Sequence, residues 1–277
     1  MVGVYDSGFG GLGVLGHLRA ALPHADWVYL GDSGRAPYGG RDAHTILDFA
    51  ELAVERLFAE GCSVVIVACN TVSCVALRHL QQRTNTASQR VLGVTIPGAE
   101  VAVRRSAGHI GILATQRTVA SGTYVDEIAK LGPHRVTQRA APLLAPLVEE
   151  GWEDSEIARL AVGRYLRELP DIDTLLLGCT HYPHLMDALV LAVPAGVTVV
   201  DPAPFVAERA VDWFARHPSF DPGTAGTLRV LCTGDPDVFA RHGARFLGTP
   251  LPPIEHIAAL AADEVGQVVR SAIDAPS

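Results

Sequence analysis

Lysine is all but missing from this chain, since Lys130 stands alone among 22 basic residues and the rest are arginine. A pyridoxal-phosphate enzyme needs a lysine for its Schiff base, and Lys130 lies in EIAKLG near the end of a surface helix, which argues against pyridoxal chemistry. Positive charge is in deficit as well: 30 acidic residues give a formal charge of −8. That balance argues against a nucleic-acid backbone or an anionic membrane as the main partner. No apolar run nears the roughly 18 to 20 residues that cross a bilayer, and the chain opens on strand-like residues at Val2 rather than on a basic region and a hydrophobic core. A soluble, unprocessed, cytoplasmic protein is expected. Disulfide pairing is lacking too, because Cys62, Cys69, Cys74, Cys179 and Cys232 are odd in number and scattered, as reduced thiols would be.

What is present is a long alternation of strand and helix. With 277 residues and 48% apolar composition, the chain can bury one large core or two modest ones. The first half reads as strands over 2–5, 27–30 and 64–68. Helices run through Leu15, Leu18 and Leu22, from an Asp42 cap to a Gly61 stop, and through Val75, Leu77 and Leu80. Residues 31–41 and 81–90 read as loops. The alternation restarts at Val91, with strands over 91–95, 110–113, 174–177, 197–200 and 229–232. Helices are expected from Gly98, over 118–131 and 154–169, from Pro183, and over 205–214. Residues 142–151 and 250–253 read as proline-punctuated connections, and a final pattern spans 257–269. The strand at Ile110 lies about as far beyond the strand at Val2 as Cys179 lies beyond Cys69, which suggests two similarly wound α/β lobes with mostly parallel sheets. The first lobe is expected to comprise residues 1–94 and 207–277, with the second, residues 95–206, inserted in it.

Chemistry concentrates at two strand ends. Cys179, Thr180 and His181 fall just past the carboxyl end of the strand over 174–177, and Cys69, Asn70 and Thr71 directly follow the strand over 64–68. Ligands of open α/β sheets bind outside the carboxyl ends of the strands, so two cysteines in equivalent positions are expected to face one ligand. A thiol with an ordinary pKa near ~8.5 is accessible in both forms close to neutrality. If one thiolate removes a proton from a carbon and one thiol replaces it on the opposite face, the product is the mirror image. Asp6 and His181 are candidates to assist the two cysteines, since carboxylate and imidazole are the usual groups for moving a proton. Ser7, Asn70, Thr71 and Thr180 offer neutral hydrogen bonds to a substrate's ammonium and carboxylate groups. Taken singly, each cysteine has core packing as its alternative, and Cys62, Cys74 and Cys232 are assigned there. In the loop over 31–41, Tyr38 and Gly39 either reach a ligand with a phenol and a backbone NH or form a surface connection with a packed tyrosine. Cys179, His181 and His184 lack a second ligand pair for zinc, so no metal site is expected and His184 is placed on a helix face.

One competing signal points elsewhere. Gly8, Gly10 and Gly13 match GxGxxG, and Asp32 follows the second strand where a ribose-binding acid would lie, as in a dinucleotide-binding oxidoreductase. Asp6 and Ser7 argue against it, because they put a carboxylate and a hydroxyl where the phosphate-binding turn would begin. A non-catalytic thiol-rich binding protein is the third possibility.

Taken together, YDSGFGGLGVL at Tyr5, YLGDSGRAPYG at Tyr29, VVIVACNTVS at Val64, PLVEEG at Pro146 and LLLGCTHYP at Leu175 resemble the glutamate racemases of the cofactor-independent aspartate/glutamate racemase family. The match covers nearly the whole chain, in order. The resemblance implies two α/β lobes related by a pseudo-two-fold axis, glutamate held between them, no cofactor, and a homodimer. It implies that Cys69 acts on D-glutamate and Cys179 on L-glutamate, with Asp6 and His181 assisting and Glu149 near that histidine; the choice of Glu149 over Glu150 rests on the motif alone. Asp6, Ser7, Tyr38, Gly39, Asn70, Thr71, Thr180 and His181 match substrate-binding positions. ILATQRT departs from the family's commoner VIGT form and leaves the part played by Thr115 and Thr118 open. Aspartate racemases share the two-thiol plan, so aspartate is the alternative substrate. Because few residues precede DSG, activation by a peptidoglycan precursor is not expected, and the implied role is supply of D-glutamate for the cell wall.

Overall fold

The computed structural model describes residues 1–258. Six strands, β1 (Val2–Asp6), β2 (Trp27–Gly31), β3 (Val64–Val67), β4 (Arg90–Gly93), β9 (Leu228–Cys232) and β10 (Ile254–His256), form one sheet in the order β10-β9-β2-β1-β3-β4. The other four, β5 (His109–Ala114), β6 (Arg135–Ala140), β7 (Thr174–Gly178) and β8 (Thr198–Val200), form a second sheet in the order β6-β5-β7-β8. Every strand pairing is parallel. The order β2-β1-β3-β4 in one sheet is therefore repeated as β6-β5-β7-β8 in the other, which makes the end of β3 equivalent to the end of β7.

Parallel strands need helical crossovers that cover both sheet faces, so the central strands must be apolar along their whole length. β1, β2, β3, β5 and β7 are buried at every position. The helices are α1 (Gly11–Ala21), α2 (Ala43–Ala59), α3 (Asn70–Thr84), α4 (Thr95–Arg105), α5 (Gln116–Ser121), α6 (Thr123–Leu131), α7 (Leu144–Glu149), α8 (Glu156–Leu166), α9 (Met186–Ala192), α10 (Ala203–Arg216) and α11 (Pro236–Leu247). The Asp42 carboxylate caps α2 by accepting from the Thr45 NH at 2.9 Å. None of the described helices is long and apolar enough to cross a membrane.

The structure departs from the sequence expectations at identifiable points. The proline-punctuated stretch over 142–151 contains α7, because Pro146 occupies its first turn, where a missing NH costs no helical bond. The helix expected over 118–131 is two helices, broken at Gly122 with φ of +69°. α3 continues to Thr84, into the stretch read as a loop. The strands β6 and β10 and the helix α11 were not anticipated. β6 is an edge strand with no fully buried residue, so it lacks the apolar run of its neighbours. The pattern expected over 257–269 lies outside the described residues from position 259 onward.

The glycine-rich turn after β1 serves close packing of protein on protein. A Cβ on Gly11 would lie 2.6 Å from the Asp6 Cβ, and one on Gly10 would meet the Thr180 hydroxyl and lie 2.7 Å from His181 Nδ1. The amino end of α1 is thus pressed against the loop that follows β7, in the other sheet. Asp32 is fully buried and accepts from Arg35 Nε at 2.7 Å, from Thr233 Oγ1 at 2.6 Å and from the Tyr38 phenol. Its carboxylate ties the loop after β2 to the end of β9, so its hydrogen-bonding capacity is spent within the protein, in line with the argument against a dinucleotide fingerprint.

Candidate active site

In each sheet the strand order reverses direction between two central strands, and ligands collect at such switch points. Asp6 and Ser7 end β1 while Cys69, Asn70 and Thr71 follow β3. Thr115 follows β5 while Cys179, Thr180 and His181 follow β7. The two switch points converge on one cavity of about 210 Å³, whose lining includes Cys69 from one sheet and Cys179 from the other. Ser7, Tyr38, Gly39, Asn70, Thr71, Glu149, Thr180 and His181 line the same space. Asp6 is fully buried and stands behind the wall.

The two thiols have different surroundings. Cys69 immediately precedes α3, and its Sγ is 3.4 Å from Ser7 Oγ. Burial, reinforced by the nearby Asp6 charge, pushes its thiol up to about 12, so it rests protonated. Burial also raises the Asp6 carboxyl; its Oδ2 accepts from the Gly8 NH at 2.9 Å, whereas Oδ1 has no hydrogen-bond partner. On the opposite side, Cys179 Sγ is 3.8 Å from His181 Nδ1, and His181 Nε2 is 2.9 Å from Glu149 Oε1. Burial alone would lower the imidazole pKa, but the bonds and charges of Cys179 and Glu149 outweigh it and hold His181 at about 10. Glu150 is exposed, so of the two acids it is Glu149 that the end of α7 brings to His181.

Bonds between the two sheets close the cavity's rim. Thr71 Oγ1 and Thr115 Oγ1 are 2.9 Å apart, Asn70 Nδ2 donates to the Tyr124 phenol at 2.8 Å, and the Arg117 NH donates to the Gly39 carbonyl at 2.9 Å. Thr115 lines the cavity, whereas Thr118 is buried behind it, 2.9 Å from Thr115 Oγ1. The Tyr38 phenol donates to Asp32 and is 3.2 Å from the Tyr5 hydroxyl, so a ligand contact through that phenol, one of the two sequence expectations, gives way to a packed tyrosine. Ala36, Pro37, Gln116, Pro142, Ala145 and Tyr182 also line the cavity; Ala36, Pro37, Gln116 and Tyr182 lie inside the quoted motifs, but none of the six is singled out by the sequence. His184 is half-buried with its ring edge-on to Phe246 at 4.4 Å. Among the described residues, no three His, Cys, Asp or Glu side chains are grouped to hold a metal ion.

Two thiols on one cavity, each with its own polar partner, are the equipment of an acid–base catalyst that works on both faces of a carbon atom. The chain belongs to the Asp/Glu/Hydantoin racemase family, whose model matches residues 17–210. It is 39% identical to the glutamate racemase of Desulforudis audaxviator, over 94% of this chain and 98% of that protein. Its fold superposes on glutamate racemase from Francisella tularensis in complex with D-glutamate with a TM-score of 0.86, at 29% identity over 93% of this chain and 97% of that one. The Thermus thermophilus glutamate racemase in complex with β-chloro-D-alanine gives a TM-score of 0.83 at 35% identity, over 93% of this chain and 96% of that one.

Proposed function

We propose that this protein interconverts L- and D-glutamate by proton transfer between Cα and two cysteines. The observation that carries the reading is the meeting of Cys69 and Cys179, from equivalent strand ends, on one cavity. Starting from L-glutamate, the Cys179 thiolate takes the Cα proton and becomes a thiol. The Cys69 thiol then gives its proton to the opposite face and is left as a thiolate. The reverse direction exchanges the roles, and proton exchange with water resets the enzyme. Asp6 assists Cys69 while His181, held by Glu149, assists Cys179. Ser7, the backbone of Tyr38 and Gly39, Asn70, Thr71, Thr115 and Thr180 hold the ammonium and carboxylate groups. In this reading the first lobe comprises residues 1–94 and, among the described residues, those from 207 onward, and the second residues 95–206. The enzyme works as a cytoplasmic homodimer that supplies D-glutamate for the cell wall. Incubation with glutamate and with aspartate under identical conditions tests it: faster turnover of aspartate would overturn the substrate, and binding of glutamate without conversion would leave only a binding protein.

The Glu149–His181 bond makes a pH prediction. Because His181 is raised from its ordinary 6.5 to about 10, its charge and the stability that charge contributes are fully present below 6.5 and are lost as pH rises through about 10. Loss of the imidazolium should set the alkaline limb of kcat/KM. Glu149→Gln removes one of the groups that raise it, so the limb should move to lower pH. The equilibrium constant between enantiomers is one, so the shift should be identical in both directions. An unmoved limb would show that another group controls it.

A further inference from the structure

The far wall of the cavity is held by a helix that belongs to neither catalytic loop. α11 packs on α1 and β10, beside the six-stranded sheet, whereas α7 and the loop after β7 belong with the four-stranded sheet. From α11, Arg245 Nη2 donates to the Val148 carbonyl at 2.6 Å and lies 2.9 and 3.2 Å from the two Glu153 carboxylate oxygens, while Nη1 donates to the Glu149 carbonyl at 3.5 Å. These carbonyls end α7, where helical carbonyls have no partner within the helix and a basic side chain is favourable. The next residue, Phe246, places its ring edge-on to His181 at 5.1 Å. Adjacent residues of one helix therefore hold both members of the Glu149–His181 bond, the acid by its backbone and the imidazole by its ring. Cys69 draws instead on Ser7 and Asp6 at the end of β1, which Arg245 does not touch.

We propose that Arg245 is a positioning residue for the Cys179 half of the reaction. By fixing the carbonyl end of α7 it sets the reach of Glu149 to His181, and through His181 the readiness of Cys179 to take a proton from Cα. The inference rests on the racemase reading above and assigns this strap to one enantiomer only, the L form.

A glutamate analogue with a halide at Cβ separates the two halves. Removal of the Cα proton by one thiolate leaves an electron pair that forms a Cα–Cβ double bond as the halide departs with the Cβ–halogen pair. The resulting enamine tautomerises, and water hydrolyses it to a 2-oxo acid and ammonia. No reprotonating thiol is needed, so each enantiomer reports on one cysteine. Arg245→Ala should slow elimination from the L analogue roughly ten- to hundredfold, since small misplacements of a catalytic group cost about that much, and leave the D analogue within about twofold. Arg245→Lys, which keeps the charge but loses the two-pronged fork, should fall between. The L-to-D ratio read within one preparation does not depend on how much of the variant is folded. An unchanged ratio, or a loss confined to the D analogue, would overturn the proposal. Failure of the unaltered protein to racemise glutamate or to eliminate from either analogue would instead overturn the racemase reading itself.

Discussion

Cys69→Ser and Cys179→Ser are each expected to lower racemisation of glutamate by on the order of 10³-fold or more, in both directions. A serine keeps the size of the side chain but is a far weaker acid and base near neutral pH, and a well-placed proton-transfer group is worth about 10²- to 10⁴-fold. Neither thiol can substitute for the other, because the cavity presents them from different sheets. Cys62→Ser, Cys74→Ser and Cys232→Ser serve as controls. Burial pushes the Cys62 and Cys74 thiols up to about 12, Cys232 donates to the Gly234 carbonyl at 3.3 Å, and none of the three lines the cavity. Their replacement should alter stability and leave turnover per folded molecule unchanged. Racemisation rates measured on all five variants, with a melting curve for each, check the contrast. In elimination from the Cβ-halide analogue, Cys69→Ser should retain the L form alone and Cys179→Ser the D form alone.

The second large effect is expected at a glycine. Gly10 has ordinary right-handed backbone angles, so space and not conformation excludes a side chain there. An added Cβ would strike the Thr180 hydroxyl and lie 2.7 Å from His181 Nδ1 and 2.9 Å from its Cε1. Thr180 can rotate away, but His181 is held by Glu149, by Cys179 and by the Phe246 ring, so relief must come from the Cys179 loop itself. Overpacking of this kind costs roughly 1–3 kcal/mol, and a shift of about 1 Å in a catalytic group costs on the order of a hundredfold in rate. Gly10→Ala should therefore lose activity at temperatures where it remains folded. Gly13→Ala is the control: its Cβ would find the nearest atom, the Phe246 carbonyl oxygen, at 3.8 Å, and alanine favours the helix by up to ~1 kcal/mol. Kinetics and thermal unfolding of the two variants side by side check this, and equal activity would contradict it.

The same glycine shows where sequence reading stops. The strands that carry the cysteines were legible because parallel strands covered on both faces must be apolar throughout, and the residues just past them could be read directly. That Gly10 touches Thr180 and His181 could not be read, since the contact joins two sheets through distant parts of the chain. GxGxxG consequently resembled a phosphate-binding turn while serving as a close helix-to-loop contact. Asp32 formed part of the same competing signal, and its actual partners Tyr38 and Thr233 meet it only in three dimensions. Glu149 was reached through a motif and not through local structure, as two prolines suggested a loop where Pro146 sits in the first turn of a short helix. α11 could have been found: Asp235 accepts from the NH groups of Asp237 and Val238, Pro236 opens the helix, and Gly248, with φ of +76°, closes it.

The central claim is that two thiols act on opposite faces of Cα, and deuterium labelling at that carbon tests it most directly. Racemisation of L-glutamate started in deuterated water should, at early times, give D-glutamate carrying deuterium at Cα while the remaining L-glutamate keeps its protium. Deuterium would enter from Cys69, and the protium removed would stay on Cys179 until it exchanged. Protium retained in the D product, or deuterium entering the L substrate as fast as the D product, would contradict the account.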